Sequence, residues 1–322
     1  MNNKALGSSL NSEVIDKIRE MHRPSILGTL IFVLYACLMY FGVGYLIYEL
    51  LISNLNIFIK VILFPFLLFL SLGGLRLMGN LGHDGTHFTL SKNKFISVIM
   101  GCFFSSCVIG FMEMGFSVSH WYHHRFINQS SDPDVMHYSR YDKSKGFLNR
   151  LFFAFPSRLP HYWSNTIKMA LGKPLTYDCK IGLNSRSIKV ASFLNIIFSI
   201  FWLSSYIMIS IYNPIYALVG IWIPNLVALF ANGFTVFIQH GGTGKEELYA
   251  SRSIVSPLTT ILYFGGNFHL EHHLYPGIPM YRLPFLHALL RDNGVYNQEG
   301  INIDFAPFAE LTYAWSNYPN GK

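Results

Sequence analysis

Nine of the thirteen histidines in this chain fall into short clusters whose spacing suits a shared ligand. His83 and His87 form an HxxxH pair in HDGTH. His120, His123 and His124 form HxxHH in HWYHH, and His269, His272 and His273 repeat that pattern in HLEHH. His240 stands alone after a long apolar stretch. Residues three and four apart share one face of a helix, so each cluster can aim its imidazoles at one point. Neutral imidazole is the commonest metal ligand. Nine exceed the four that a tetrahedral zinc takes. Two metals with four or five histidines each would use the set and leave positions open for a reactant. Imidazole suits iron, zinc, copper and nickel alike, so ligand type alone does not choose the metal.

Carboxylates lie close by. Asp84 sits inside HDGTH, Glu271 inside HLEHH, and Asp132 and Asp134 follow HWYHH in SSDPD. Metal-bound histidines usually give their other N–H to such groups, which fixes tautomer and orientation. The Asp132–Asp134 run also reads as a solvated turn. Glu113 lies in an apolar run, where an unpaired acid is expensive, and a supporting role beside the metal is expected for it. Asn267 precedes the last cluster and reads first as the cap of its helix, otherwise as a group beside a metal-bound water. His22, His137, His161 and His287 are expected at the surface or in packing.

The elements that must position these residues belong in a membrane. The chain has 322 residues, 51% hydrophobic and only 13% charged, against about 25% charged in ordinary soluble domains. Residues 25–48, 61–75, 190–212 and 214–239 carry no charged side chain. The sequence predicts four spans, at about 25–48, 57–78, 190–212 and 214–236, each near the roughly 20 residues a bilayer helix needs. Lys60 would snorkel to the interface. The connections after the first and third spans lack Lys and Arg, while the rest of the chain outside the spans is basic. Cytoplasmic segments carry the Lys/Arg excess, so both termini and all nine clustered histidines are expected on the cytoplasmic side. The net charge of +7 then favours anionic lipid rather than nucleic acid.

Phe95–Gly115 is apolar and long enough to cross. Crossing would strand HDGTH from HWYHH on opposite sides of a roughly 30 Å hydrocarbon core. It is therefore expected to dip in and return, or to lie along the interface, with Ser105 and Ser106 at the bend. Between Gly146 and Gly172, aromatics alternate with Arg158, His161, Trp163 and Lys168, a composition suited to interfacial helices. The polar start is no signal peptide. The four cysteines, Cys37, Cys102, Cys107 and Cys179, form no CxxC and indicate neither a disulfide framework nor a thiolate site. Asn128 opens a glycosylation sequon that a cytoplasmic position would leave unmodified. The expected architecture is an all-α integral membrane protein, with four transmembrane helices, interfacial helices and a histidine-rich metal-binding cap. It reads as one unit: an arm at 1–24, a membrane core at 25–240 and a cap at 241–322.

HDGTH, SHWYHHRFINQSSDPD and GNFHLEHHLYPGIPMYRLPFLH together resemble the membrane-bound fatty acid desaturases over about residues 70–290. The resemblance implies a di-iron centre that activates dioxygen, the co-substrate, and attacks an unactivated C–H bond. It carries the ligand role to His83, His87, His120, His123, His124, His240, His269, His272 and His273. It implies an acyl-lipid or acyl-thioester substrate and a new carbon–carbon double bond. Electrons would come from a separate donor, ferredoxin-like or a small haem protein with its reductase. The acyl-coenzyme-A branch typically has a longer first cluster and an asparagine where Val236 stands, so this chain looks closer to the acyl-lipid and bacterial branches. The closing region is also similar to carotenoid ketolases and hydroxylases, which remain the alternative reading. A metal transporter would place its ligands within the spans, near the midplane.

Overall fold

In the computed structural model, residues 10–141, 146–175 and 181–305 are described. Cys179, the first nine residues and the last seventeen lie outside them. The chain begins with α1 (Ser12–Met21). Four apolar helices are long enough to span a membrane: α2 (Ile26–Ile52), α3 (Ile57–Thr86), α9 (Ser185–Tyr212) and α10 (Pro214–His240). Between α3 and α9 lie α4 (Lys94–Ser105), α5 (Glu113–Arg125), α6 (Pro133–Tyr138), α7 (Phe147–Phe153) and α8 (Leu159–Ala170). After α10 come α11 (Pro257–Tyr263), α12 (His269–Leu274) and α13 (Leu283–Asp292). Among the described residues, the only sheet is a parallel contact of β1 (Ser253–Ile254) with β2 (Ile303–Asp304). The protein is all-α and built for a membrane.

The span α3 decides where the chemistry lies. Its thirty residues make a rod of about 45 Å, longer than a hydrocarbon core of roughly 30 Å. Its first turns are exposed and apolar, with Phe58 at 75% exposure, as lipid-facing residues should be. Its last turns, from Gly74 onward, are largely buried and carry HDGT. The glycines of this segment serve a close approach rather than breaking the helix. A Cβ on Gly85 would lie 2.7 Å from the Gly101 Cα of α4, so only glycine lets the two backbones touch.

The apolar run 95–115 does not cross. Helix α4 has twelve residues, about 18 Å, and the chain turns after Ser105 and Ser106 before α5 begins at Glu113. Two buried asparagines from the spans hold that turn. Asn195 of α9 accepts from the Met114 N–H and donates to the Ser106 hydroxyl. Asn225 of α10 accepts from the Ile109 N–H and donates to Tyr40. Each supplies the partners that a buried loop backbone otherwise lacks. The interfacial expectation for 146–172 corresponds to α7 and α8, both short helices, although Arg158 is buried rather than exposed.

The cap has its own apolar core. Leu10, Val14 and Ile18 pack with Leu270, Leu274 and Leu283, joining the first helix to the last cluster. Arg282 donates to the carbonyls of Glu20, Met21 and Arg23, at and just beyond the end of α1.

Candidate metal centre

Four helix ends deliver the nine imidazoles. His83 lies in the last turn of α3 and His87 caps it. His120, His123 and His124 occupy the last two turns of α5. His240 ends α10, and α12 presents His269, His272 and His273. Ring nitrogens of His83, His87, His120, His124 and His272 all lie within 4.8 Å of one another, as do those of His123, His240 and His273. His269 joins the second group, its Nε2 being 2.9 Å from His240 and 3.0 Å from His273. The two groups adjoin, with the His124 and His273 rings stacked at 4.3 Å.

The donor set fits metal ions. In the first group the Nε2 atoms of His87 and His120 approach to 2.9 Å, those of His120 and His124 to 3.1 Å, and those of His124 and His272 to 2.9 Å. Each ring nitrogen offers one lone pair or one hydrogen, so such a convergence satisfies itself poorly, whereas a central cation takes every lone pair. Burial holds the imidazoles of His87, His120, His124, His269, His272 and His273 well below their usual pKa, and neighbouring imidazoles add to this. They are therefore neutral, the form that ligates. His123 differs. Burial opposes its charge, but the carboxylates of Asp132 and Asp134 outweigh that and raise its pKa.

The surrounding carboxylates divide into those that meet an imidazole and those that do not. Asp132 accepts from His123 Nδ1 at 2.8 Å and also caps α6 through the Asp134 N–H. It is fully buried, so the solvated-turn reading of this run does not hold. Asp134 lies 3.8 Å from His123 and is paired with Arg158. Asp84 is 4.0 Å from His83, beyond hydrogen-bond reach, and instead accepts from the Met280 N–H. Glu113 accepts from Thr86, one residue before His87, and burial raises its pKa to about 7.

Two further readings need correction. Glu271 partners no clustered histidine: its oxygens accept from Ser253, His287 and Tyr296. The helical period places it on the opposite face of α12 from His269 and His273. Asn267 does not cap that helix, whose N-cap is Phe268. Its amide donates to Ile254 and Thr260, tying the preceding loop together.

Other residues of the site escaped the sequence reading. Asn128 is buried at positive φ, and its amide donates to Thr243, Gly244 and Ala250. Ala250 in turn accepts from His240 Nδ1 at 2.9 Å. A buried Asn128 cannot carry a glycan, so its sequon is incidental. Arg158 gave one usable signal, a charge amid aromatics.

A cavity of about 160 Å³ opens against the imidazoles of His83, His120, His123, His240 and His269, and its other walls include Leu75, Val108, Phe111 and Phe155. Four apolar helices of span length and a histidine cluster able to hold metal ions define a candidate membrane metalloprotein. Residues 60–303 match the model of the fatty acid desaturase family, and the chain belongs to that family. No curated protein matches the sequence. Membership brings metal-dependent, desaturase-like oxidoreductase chemistry on a lipid-type substrate.

Proposed function

We propose that this protein is a dioxygen-dependent desaturase of long acyl chains, with the nine clustered histidines holding two iron ions. The observation that carries the reading is a cavity lined by both apolar side chains and five of those imidazoles. With iron bound, the centre would reduce dioxygen to two waters, using two hydrogens from adjacent methylenes plus two electrons and two protons. The protein's own part is positioning. Asp132 orients His123, and the Ala250 carbonyl orients His240. Phe111 and Phe155 exclude water and align the chain against the imidazoles.

His83 and His240 lie at span ends rather than at mid-helix, which suits an enzyme better than a transporter. The basic loops argue for a cytoplasmic centre and termini. A separate carrier would deliver the electrons, the arm, core and cap acting as one unit. Mass spectrometry of acyl chains from cells with and without the expressed protein tests the reading. Loss of two hydrogens supports a desaturase. A gained oxygen, or change in carotenoids alone, replaces it with a hydroxylase or ketolase of the same centre.

A further inference from the structure

Arg76 stands within span α3, whose other charged, amide or imidazole side chains are Lys60 near its start and Asn80, His83 and Asp84 near its end. Charges in spans are costly and mark functional positions. Its guanidinium donates to the Thr235 hydroxyl of α10 at 2.7 Å and lies 5.6 Å from the Tyr263 ring centre. Asn232, Thr235 and Gln239 follow at helical spacing, so they share one face of α10. On α3, His83 follows Arg76 by two turns on the same face, about 10 Å along the axis.

These polar groups have a specific place. A second cavity, of about 420 Å³, lies between α3 and α10 beneath α11, with Phe69, Leu72 and Leu262 among its walls. Arg76, Asn232, Thr235 and Gln239 line both this cavity and the inner one that reaches the imidazoles. They form the partition between this outer pocket and the metal-side pocket. An alkyl chain needs no hydrogen-bond donors, whereas the acidic end of a lipid does. A guanidinium is the side chain that matches carboxylate and phosphate geometry.

We infer that Arg76, supported by Thr235, anchors the oxyanion (carboxylate or phosphate) at the head of an acyl substrate. It thereby sets how far the chain reaches along α3 towards His83, so the attacked methylene is counted from the anionic end. This rests on the lipid-oxidising reading above. Displacement of a fluorescent fatty acid from the purified, detergent-solubilised protein tests it. One pair of competitors is a long-chain fatty acid and its methyl ester; the other is a lysophosphatidate and the matching monoacylglycerol.

The anionic member of one pair should bind about tenfold more tightly in wild type, the scale of a charged hydrogen bond. The pair that discriminates identifies the oxyanion as carboxylate or phosphate. Arg76→Gln should bring that ratio close to one. Arg76→Lys, which keeps the charge without the fork, should fall between and serves if the glutamine variant does not fold. Equal binding within both pairs in wild type, or an undiminished ratio in Arg76→Gln, overturns the assignment. Turnover measured alongside separates the two readings. Desaturated product without discrimination removes the Arg76 site alone, and discrimination without product removes the desaturase alone.

Discussion

The Nε2 atoms of His124 and His272 lie 2.9 Å apart although 148 residues separate them in the chain. That contact joins α5 to α12 and closes the first imidazole group. The centre therefore exists only when the middle segment and the cap fold against each other. Replacing either residue with Ala should abolish turnover and lower the bound metal, with the protein still inserted and monodisperse in detergent. Metal analysis beside a turnover assay checks this. Retained activity in a variant would remove that residue from the ligand set.

Asp132→Asn isolates orientation from ligation. Asn still caps α6, since its side-chain oxygen accepts as Asp does, but the charge that holds His123 is lost. Removal of such a partner typically costs about 10–100-fold in metal affinity or activity. Iron titration of the purified variant should show weaker binding at one of two sites. Wild-type affinity at both would show that His123 needs no carboxylate.

Acid should destabilise the metal-free protein. Burial holds His87, His120, His124, His269, His272 and His273 neutral below the ordinary value of 6.5. As pH falls through about 6.5, the unfolded chain takes up protons that the native state refuses. Stability then drops by about 1.4 kcal/mol per pH unit for each such histidine. His123 and Glu113 have the opposite sign, each gaining stability as pH falls through its raised value, but they are two against six. Thermal unfolding should be flat above about pH 7 and fall steeply below it, following the unfolded pKa of histidine. A midpoint that rises on acidification would contradict this burial.

Gly85→Ala should push α3 away from α4. Its Cβ would meet the Gly101 Cα at 2.7 Å, and backbone cannot step aside. Overpacking of this kind costs about 1–3 kcal/mol. Gly79→Ala, where a Cβ meets nothing within 4 Å, should be neutral or stabilising because alanine favours helix. Unfolding midpoints of the two variants provide the comparison. Equal midpoints would mean that α3 and α4 do not depend on this contact.

With the chain returning after α4, exposed Lys92 and Ser130 should lie on one side of the bilayer. In a cysteine-free background, Lys92→Cys and Ser130→Cys should both react with an impermeant thiol reagent from the cytoplasmic face. Labelling from opposite faces would break the shared centre.

Sequence by itself determined the spans and the histidine clusters, because both are local. An apolar run of span length must find hydrocarbon, and HxxHH on a helix must share a face. The bend at Ser105 and Ser106 was also legible, since two clusters on opposite sides could not form one site. Tertiary structure decided the partners. Helical spacing in α12 turns Glu271 away from His269 and His273, but only the packing of the cap supplies its partners His287 and Tyr296. Asn267 bonds to the carbonyl of Ile254 in β1, thirteen residues away, and Asn128 holds the loop beside His240. Arg76 meets Thr235 across 159 residues. Such contacts arise where separate elements bring buried polar groups together, and spacing along one element carries no record of them.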